Sequence, residues 1–357
     1  MEIYKVYIYF FSSLIISNFT IKYLIFKSHF LGLVDLPNKR KIHKVSTPIV
    51  GGLGIVITFF IIMAISWLFN WHLIYLSLNK IYILLLGTVI IVLTGLIDDI
   101  KGLTAKDKFL FQIIASSIVV IGMVDFQLID WPLSNFFNSQ IYNSFLSIFY
   151  IVSILNAINL IDGLDGLAGG VSIIISITFL FLSYLSGSKI YELYLLIILI
   201  GSLFGFIINN KPPAKTFLGD TGSLFLGWLF AINSLVYAQK TTFSLSILIP
   251  IMVLGMPAFD VLFVMIKRFN TRHNYNFKNR IKSLFKPDNN HLHHIIISYG
   301  FSKIKALILL YLLTLITCII ALYSFFNNET TSLIYGIIFI LIIIFVIRFL
   351  LTWLRDG

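Results

Sequence analysis

Five carboxylates, Asp98, Asp99, Asp162, Asp165 and Asp220, stand beside the ends of long apolar runs, and a His291-Leu292-His293-His294 cluster closes the largest basic segment of the chain. Acidic oxygens in this number suit a hard divalent cation, and imidazoles accompanied by lysines suit phosphate. The residue types point to metal-assisted phosphate chemistry built into one face of a membrane.

Asp98-Asp99 follows Gly95-Leu96-Ile97 and precedes Lys101, Lys106 and Lys108. Neighbouring helical residues point about 100° apart, so the pair does not chelate one ion as a unit. One of the two is expected to hold a cation or accept a proton while the other orients a neighbour; two solvated charges at a helix end are the plain alternative. From Asn156 to Gly166 the polar residues Asn156, Asn159, Asp162 and Asp165 recur every third position, which keeps each beside the next on one side of a helix. An ionisable group facing lipid at mid-bilayer costs at least about 2.5 kcal/mol, so this ladder is expected to face a protein-lined cavity.

The segment Asn210 to Ser223 joins two apolar runs, with Pro212 and Pro213 stopping the first and Gly219 and Gly222 admitting close backbone approach. Asp220, Thr221 and Ser223 then lie at a helix start whose free N–H groups suit phosphate, the rival explanation for Asp220 being an ordinary N-cap. His291, His293 and His294, with Asp288 nearby, are compatible with zinc or with phosphate, and the hard oxygen ligands elsewhere favour magnesium. Asp260 reads equally as a packing carboxylate or a substrate contact.

Positioning these groups falls to a membrane bundle. Mean hydropathy is +0.97, 59% of the 357 residues are hydrophobic and 11% are charged, where a soluble domain carries about a quarter of its residues as charges. The apolar runs are long and rich in Ile, Leu and Phe, not ten-residue alternating segments, so the expected fold is an all-α polytopic bundle and not a barrel. The expected spans are 3–26, 49–69, 81–97, 108–124, 144–161, 167–185, 191–208, 218–238, 243–266, 304–323 and 332–354, about eleven in all. The first is too long for a removable signal peptide and lacks a small-residue cleavage site. No repeat or separate soluble domain is evident: residues 1–357 read as one polytopic domain, with 267–303 as a cytoplasmic active-site loop within it.

Lys and Arg concentrate at 27–47 and 267–303, which places these segments and every acidic motif on the cytoplasmic side, the N-terminus outside and the C-terminus inside. The net charge of +11 lies in membrane-adjacent loops, where anionic lipid and phosphate are the natural partners and nucleic acid is not. The single Cys318 excludes an internal disulfide or a cysteine metal cage.

Taken in order, the strings resemble the polyprenyl-phosphate N-acetylhexosamine-1-phosphate transferases, glycosyltransferase family 4. The likeness runs through Asp35-Leu36-Pro37, Arg40-Lys41-Ile42-His43, Thr47 to Gly52, Asp98-Asp99, Asn156 to Gly166, Phe217 to Ser223 and His291 to His294, and so covers nearly the whole chain. The His-x-His-His form and the Pro37–His43 loop are similar to the bacterial GlcNAc-phosphate transferase branch that starts enterobacterial antigen, O-antigen or teichoic acid synthesis. Asn289 departs from that branch, which commonly has Arg there.

The resemblance implies transfer of a sugar-1-phosphate, with GlcNAc leading, from a UDP-N-acetylhexosamine to undecaprenyl phosphate at the cytoplasmic face of the bacterial plasma membrane. The products are a lipid-linked diphosphate sugar and UMP. It implies Mg²⁺, with Mn²⁺ as a substitute, held by Asp220, Asn159 and Asp162. Asp98, with Asp99 beside it, would be the base or lipid-phosphate partner; Phe217 and Asn210 would contact uracil; Lys44, Lys108, His291, His293 and His294 would hold phosphate; and Asn156 and Asp165 would line the substrate pocket. Membrane lipid is the other implied partner, and a homodimer is left open. Two competing classes are a proton-coupled transporter, which would want its carboxylates near the midplane, and an intramembrane aspartyl protease, for which Phe217 stands where a Gly-x-Gly-Asp motif needs glycine.

Overall fold

Backbone N–H and C=O groups in a bilayer must find partners within the chain, and apolar runs of this length answer with helices. The computed structural model describes residues 3–35, 46–69, 78–123, 139–238, 243–271 and 291–327, together with 331, 334–339 and 341–342. In chain order the elements are α1 (Ile3–Leu31), β1 (Val34–Asp35), β2 (Thr47–Pro48), α2 (Gly51–Leu68), α3 (Leu78–Lys101), α4 (Ala105–Gly122), α5 (Ser139–Leu160), α6 (Leu167–Leu185), α7 (Ile190–Asn210), α8 (Gly219–Ala238), α9 (Phe243–Val253), α10 (Gly255–Thr271), α11 (Leu292–Ser298) and α12 (Lys303–Phe325). Eight of the described helices are long and apolar enough to cross a membrane, and the chain is an all-α multi-pass membrane protein.

Many hydroxyls inside these helices are spent locally. Thr58, Ser66, Thr88, Thr94 and Ser116 each donate to the carbonyl four residues back, so they need no water in an apolar setting. Helix α8 stands at the centre, against α2, α3, α5, α6 and α9. Glycines set that closeness: a Cβ on Gly52 of α2 would run into Gly222 of α8, and one on Gly95 of α3 would run into the Thr221 backbone. Helices α2 and α3 are thereby drawn against the first turn of α8, which carries Asp220.

Two expectations change. The apolar run 243–266 is not one helix but α9 and α10. Pro257 has no N–H to give to the Val253 carbonyl, so the hydrogen-bond ladder breaks there, with Leu254 N–H still bonded to Pro250 O and Ala258 N–H to Leu254 O. The third span runs on to Lys101, which puts Asp98 and Asp99 inside the last turn of α3 and not after it. The all-helical expectation also missed a two-residue antiparallel pair, Val34 opposite Pro48 and Asp35 opposite Thr47, which ties the end of α1 to the start of α2. Within the expected eleventh span, 334–339 and 341–342 are helical; the rest of that span, the segment 272–290 and Lys44 lie outside the described residues.

Candidate active site

The segment 47–52 runs along 216–218. Thr216 Oγ1 donates to Pro48 O at 2.9 Å, Phe217 N–H to the same carbonyl at 2.8 Å, Gly51 N–H to Phe217 O at 2.9 Å and Gly52 N–H to Leu218 O at 2.8 Å. Asn210 and Asp165 finish the binding of this loop: Asn210 Oδ1 accepts from Gly166 N–H at 2.9 Å, its Nδ2 donates to Thr216 O at 2.8 Å, and Asp165 Oδ2 accepts from Ala214 N–H at 3.1 Å. Tyr311 OH adds a 2.6 Å bond to Gly166 O. Asn210 is buried, and its amide holds the loop on both sides.

On this frame the acids meet. Gly102, at φ 71, turns the chain between α3 and α4, and Thr104 caps α4 by accepting from Asp107 N–H at 3.2 Å. Lys108 is thereby swung back toward α3, where its ammonium lies 2.6 Å from Asp98 Oδ2 and also bridges to Asp220 Oδ2. Asp220 Oδ1 accepts from Asn159 Nδ2 at 2.7 Å, and the same amide donates to Ser223 Oγ at 2.8 Å. Asn156, one turn further into the bundle, donates to Gln112 Oε1 at 2.7 Å.

The start of α8 is not free for phosphate. Asp99 accepts from Asp220 N–H at 2.8 Å, Thr221 N–H at 2.9 Å and Thr221 Oγ1 at 2.6 Å, and Asp162 accepts from Gly219 N–H. An anion is favourable at a helix N-terminus, and here Asp99 takes that place, with the Asp162 carboxyl on the first amide. Gly219, at φ 73, is required: a Cβ would meet the Asp99 carboxylate at 2.9 Å.

Burial, followed by the neighbouring charges of Asp220 and Asp99, pushes the Asp162 carboxyl up to about 8. Lys108 joins Asp98 to Asp220, while Asp99 and Asp162 sit on the first amides of α8 beside them, and these oxygen donors are those of a hard cation. Among the described residues no group of three or more His, Cys, Asp or Glu forms a closed metal cage. A Mg²⁺ that keeps waters and shares phosphate oxygens needs only one or two carboxylates, and Asp220 flanked by Asn159 and Asp162 fits that demand.

The histidines reach the acids through α11. His293 is buried against Gly163, the neighbour of Asp162, and among the described residues its Nε2 finds no hydrogen-bond partner. Burial, with His294 and His291 beside it, pushes the His293 ring down to about 3, so it is neutral at physiological pH. His294 lies 4.2 Å from the His293 ring, centroid to centroid. His291 meets Asp260 Oδ2 at 2.7 Å.

Of the candidate residues, Asp98, Asp99, Lys108, Asn159, Asp162 and Asp220 form one connected cluster. His293 abuts its edge, Asn156 lies a turn below, and Asp165, Asn210 and the Phe217 backbone hold the loop behind it. Gln112, Thr216 and Tyr311 escaped sequence reading. Gln112 carried a usable signal, since it falls four residues after Lys108 and so on the same helix face.

The family described as glycosyl transferase family 4 matches residues 81–238. The chain is similar to a probable undecaprenyl-phosphate N-acetylglucosaminyl 1-phosphate transferase of Bacillus subtilis, 35% identical over 315 residues, 88% of this chain and 82% of that protein. A decaprenyl-phosphate N-acetylglucosaminephosphotransferase of Mycobacterium tuberculosis is 30% identical over 328 residues, covering 85% and 78%. A phospho-N-acetylmuramoyl-pentapeptide-transferase of Staphylococcus saprophyticus is 36% identical over 301 residues, covering 78% and 85%.

Proposed function

The chain belongs to glycosyl transferase family 4, and from that premise we propose that it transfers a sugar-1-phosphate, GlcNAc-1-phosphate first among the candidates, from a UDP-sugar to undecaprenyl phosphate. The products are a lipid-linked diphosphate sugar and UMP. The observation that carries the reading is Lys108 shared between Asp98 and Asp220, with Asn159 on the second Asp220 oxygen. A cation between carboxylates is what a site needs when two phosphates must approach without repelling each other.

In this reading a phosphate oxygen of the lipid attacks the β-phosphorus of the UDP-sugar. The new P–O bond forms as the bond to the bridging oxygen breaks, and that electron pair leaves with UMP. The lipid phosphate is already largely ionised at neutral pH, its second pKa being about 6 by analogy with phosphorylated side chains, so Asp98 orients it and accepts a residual proton without acting as a strong base. Lys108, freed from one carboxylate, meets the incoming phosphate, with Lys44 and the histidines on the donor's diphosphate. Asp99 holds the first turn of α8, and with it Asp220, in register. Asp220, Asn159 and Asp162 would hold Mg²⁺, or Mn²⁺ in its place, which when bound neutralises the diphosphate and the leaving UMP. The site faces the cytoplasm of a bacterial plasma membrane, with the N-terminus outside.

Release of labelled UMP from UDP-GlcNAc by membranes containing the chain tests the proposal, with and without undecaprenyl phosphate and Mg²⁺, and with Asp220→Ala as the control. Lipid-dependent release that Asp220→Ala abolishes is the expected result. Absence of release with every UDP-sugar tried refutes it, and a phosphorylated Asp98 trapped without lipid refutes direct attack.

A further inference from the structure

Outside the acid cluster, one buried carboxylate has both oxygens spent on the histidine segment. Asp260, on α10 and 1% exposed, accepts the Leu292 N–H on Oδ1 at 2.7 Å and meets His291 Nδ1 on Oδ2 at 2.7 Å. His291 is the N-cap residue of α11, yet its side chain makes no capping bond; the cap comes from α10 instead. Further along the same short helix, His293 rests on Gly163 beside Asp162. Asp260 therefore does two separable things. It seats α11 against the acids through the Leu292 bond, and it fixes the His291 ring with Nδ1 turned inward, which leaves Nε2 as the nitrogen for a ligand.

We propose that Asp260 is a positioning residue for the transfer reaction, fixing the orientation of His291 and placing a negative charge behind Nδ1 so that the ring, carrying a proton on both nitrogens, donates Nε2–H to the diphosphate of the nucleotide-sugar donor. The inference rests on the reading above that this donor is a UDP-sugar. An anion arriving at Nε2 draws positive charge onto the ring, and the carboxylate behind Nδ1 balances it, as outer-shell carboxylates do for other ligating imidazoles. His293 stacks on His291 at 6.0 Å with 14° between planes, and His294 lies beyond it.

Substitution separates the two roles. Asp260→Asn keeps an oxygen for Leu292 N–H but turns an amide NH₂ toward His291 Nδ1, so Nδ1 must accept, the ring stays neutral, and Nε2–H meets the diphosphate without charge assistance. Asp260→Ala removes both bonds. His291→Asn keeps a donor near the position of Nδ1 and removes Nε2.

The test uses the purified full-length chain, with steady-state turnover of UDP-GlcNAc and, independently, UDP affinity from ligand-induced thermal shift. Asp260→Asn and His291→Asn are each expected to raise the KM for UDP-GlcNAc and weaken UDP binding about tenfold, the scale of one charge-assisted hydrogen bond. The kcat and the KM for the lipid acceptor stay near wild type, and the double variant is no worse than His291→Asn. Wild-type KM and UDP affinity in Asp260→Asn, or losses that add in the double variant, overturn the proposal. If Asp260→Asn unfolds, unchanged UDP affinity in His291→Asn overturns it alone. A wild-type chain that binds UDP but releases no UMP refutes the proposed function while the UDP comparison still judges Asp260, and one that does not bind UDP refutes both.

Discussion

Gly163→Ala tests whether the contact between the histidine helix and the acidic turn matters for catalysis. Gly163 is not among the positive-φ glycines, so its backbone accepts alanine. The added Cβ would come within 2.5 Å of His293 Nε2 and 2.7 Å of Cε1. Comfortable carbon contacts begin near 3.5 Å, so ring and turn must separate by about 1 Å. His293 has little room to yield, being buried with the His294 ring 4.2 Å away and His291 stacked on it at 6.0 Å. A misplacement of about 1 Å at a reacting centre costs on the order of a hundredfold, or about 2.7 kcal/mol of transition-state stabilisation. We expect kcat/KM for UDP-GlcNAc to fall between about tenfold and a hundredfold, with a lower thermal midpoint because overpacking a buried site costs about 1–3 kcal/mol. In a His293→Ala background the ring is gone and Gly163→Ala should cost nothing further. Wild-type kcat/KM in the single variant, or an equal loss in both backgrounds, refutes the argument.

Asp99→Asn replaces an acceptor of three bonds with a group that turns a donor toward donors. At about 1.5–3 kcal/mol for each charge-assisted bond lost, Asp220 should shift and kcat fall at least about tenfold; unchanged kcat would show that the α8 cap does not hold Asp220. Removing divalent cations with EDTA is expected to abolish UMP release, and Mg²⁺ or Mn²⁺ to restore it, with Asp220→Asn needing more Mg²⁺ for half-maximal rate; metal-independent release would sink the assignment. Acid should loosen α11. The His293 ring is held down to about 3 from an ordinary 6.5, so the undocked state binds more protons between these values, and docking is fully stable above about 6.5 and weakens by about 1.4 kcal/mol per pH unit below it. Hydrogen exchange at 292–298, corrected for intrinsic rate, should rise about tenfold or more at pH 5 and lose this dependence in His293→Gln; flat exchange down to pH 5 would contradict the neutral buried ring.

The helices were legible because an apolar run has one way to satisfy its backbone in lipid, and 167–185 falls on Leu167–Leu185 at both ends. Errors came where a local signal was overruled by a feature outside the run. Hydropathy carries 243–266 across without interruption, whereas a missing N–H at Pro257 breaks it. Asp98-Asp99 looked like a helix stop, yet α3 continues because Asp98 Oδ1 takes the Leu103 N–H and Lys108 returns to neutralise it. The β1–β2 pair, two residues on each side, is too short for any period to announce.

For the site, residue types were readable and pairings were not. That Asp98 and Asp99 would part company followed from the angular step along a helix, and the structure gives them different partners, Lys108 for one and the α8 amides for the other. What the sequence could not tell was the direction of the α8 bonds. A helix start rich in Gly, Thr and Ser reads as a phosphate cradle, but its first amides are already spent on Asp162 and Asp99. This assignment has a chemical consequence. Carboxylates fixed by backbone donors stay in place when substrate is absent, so holding the acids together does not depend on a bound ion. The groups that do depend on each other electrostatically are Asp98, Lys108 and Asp220, and only side chains connect them. An arriving phosphate can therefore compete for Lys108 without dismantling the frame, which is the preorganisation that phosphoryl transfer between two anions requires.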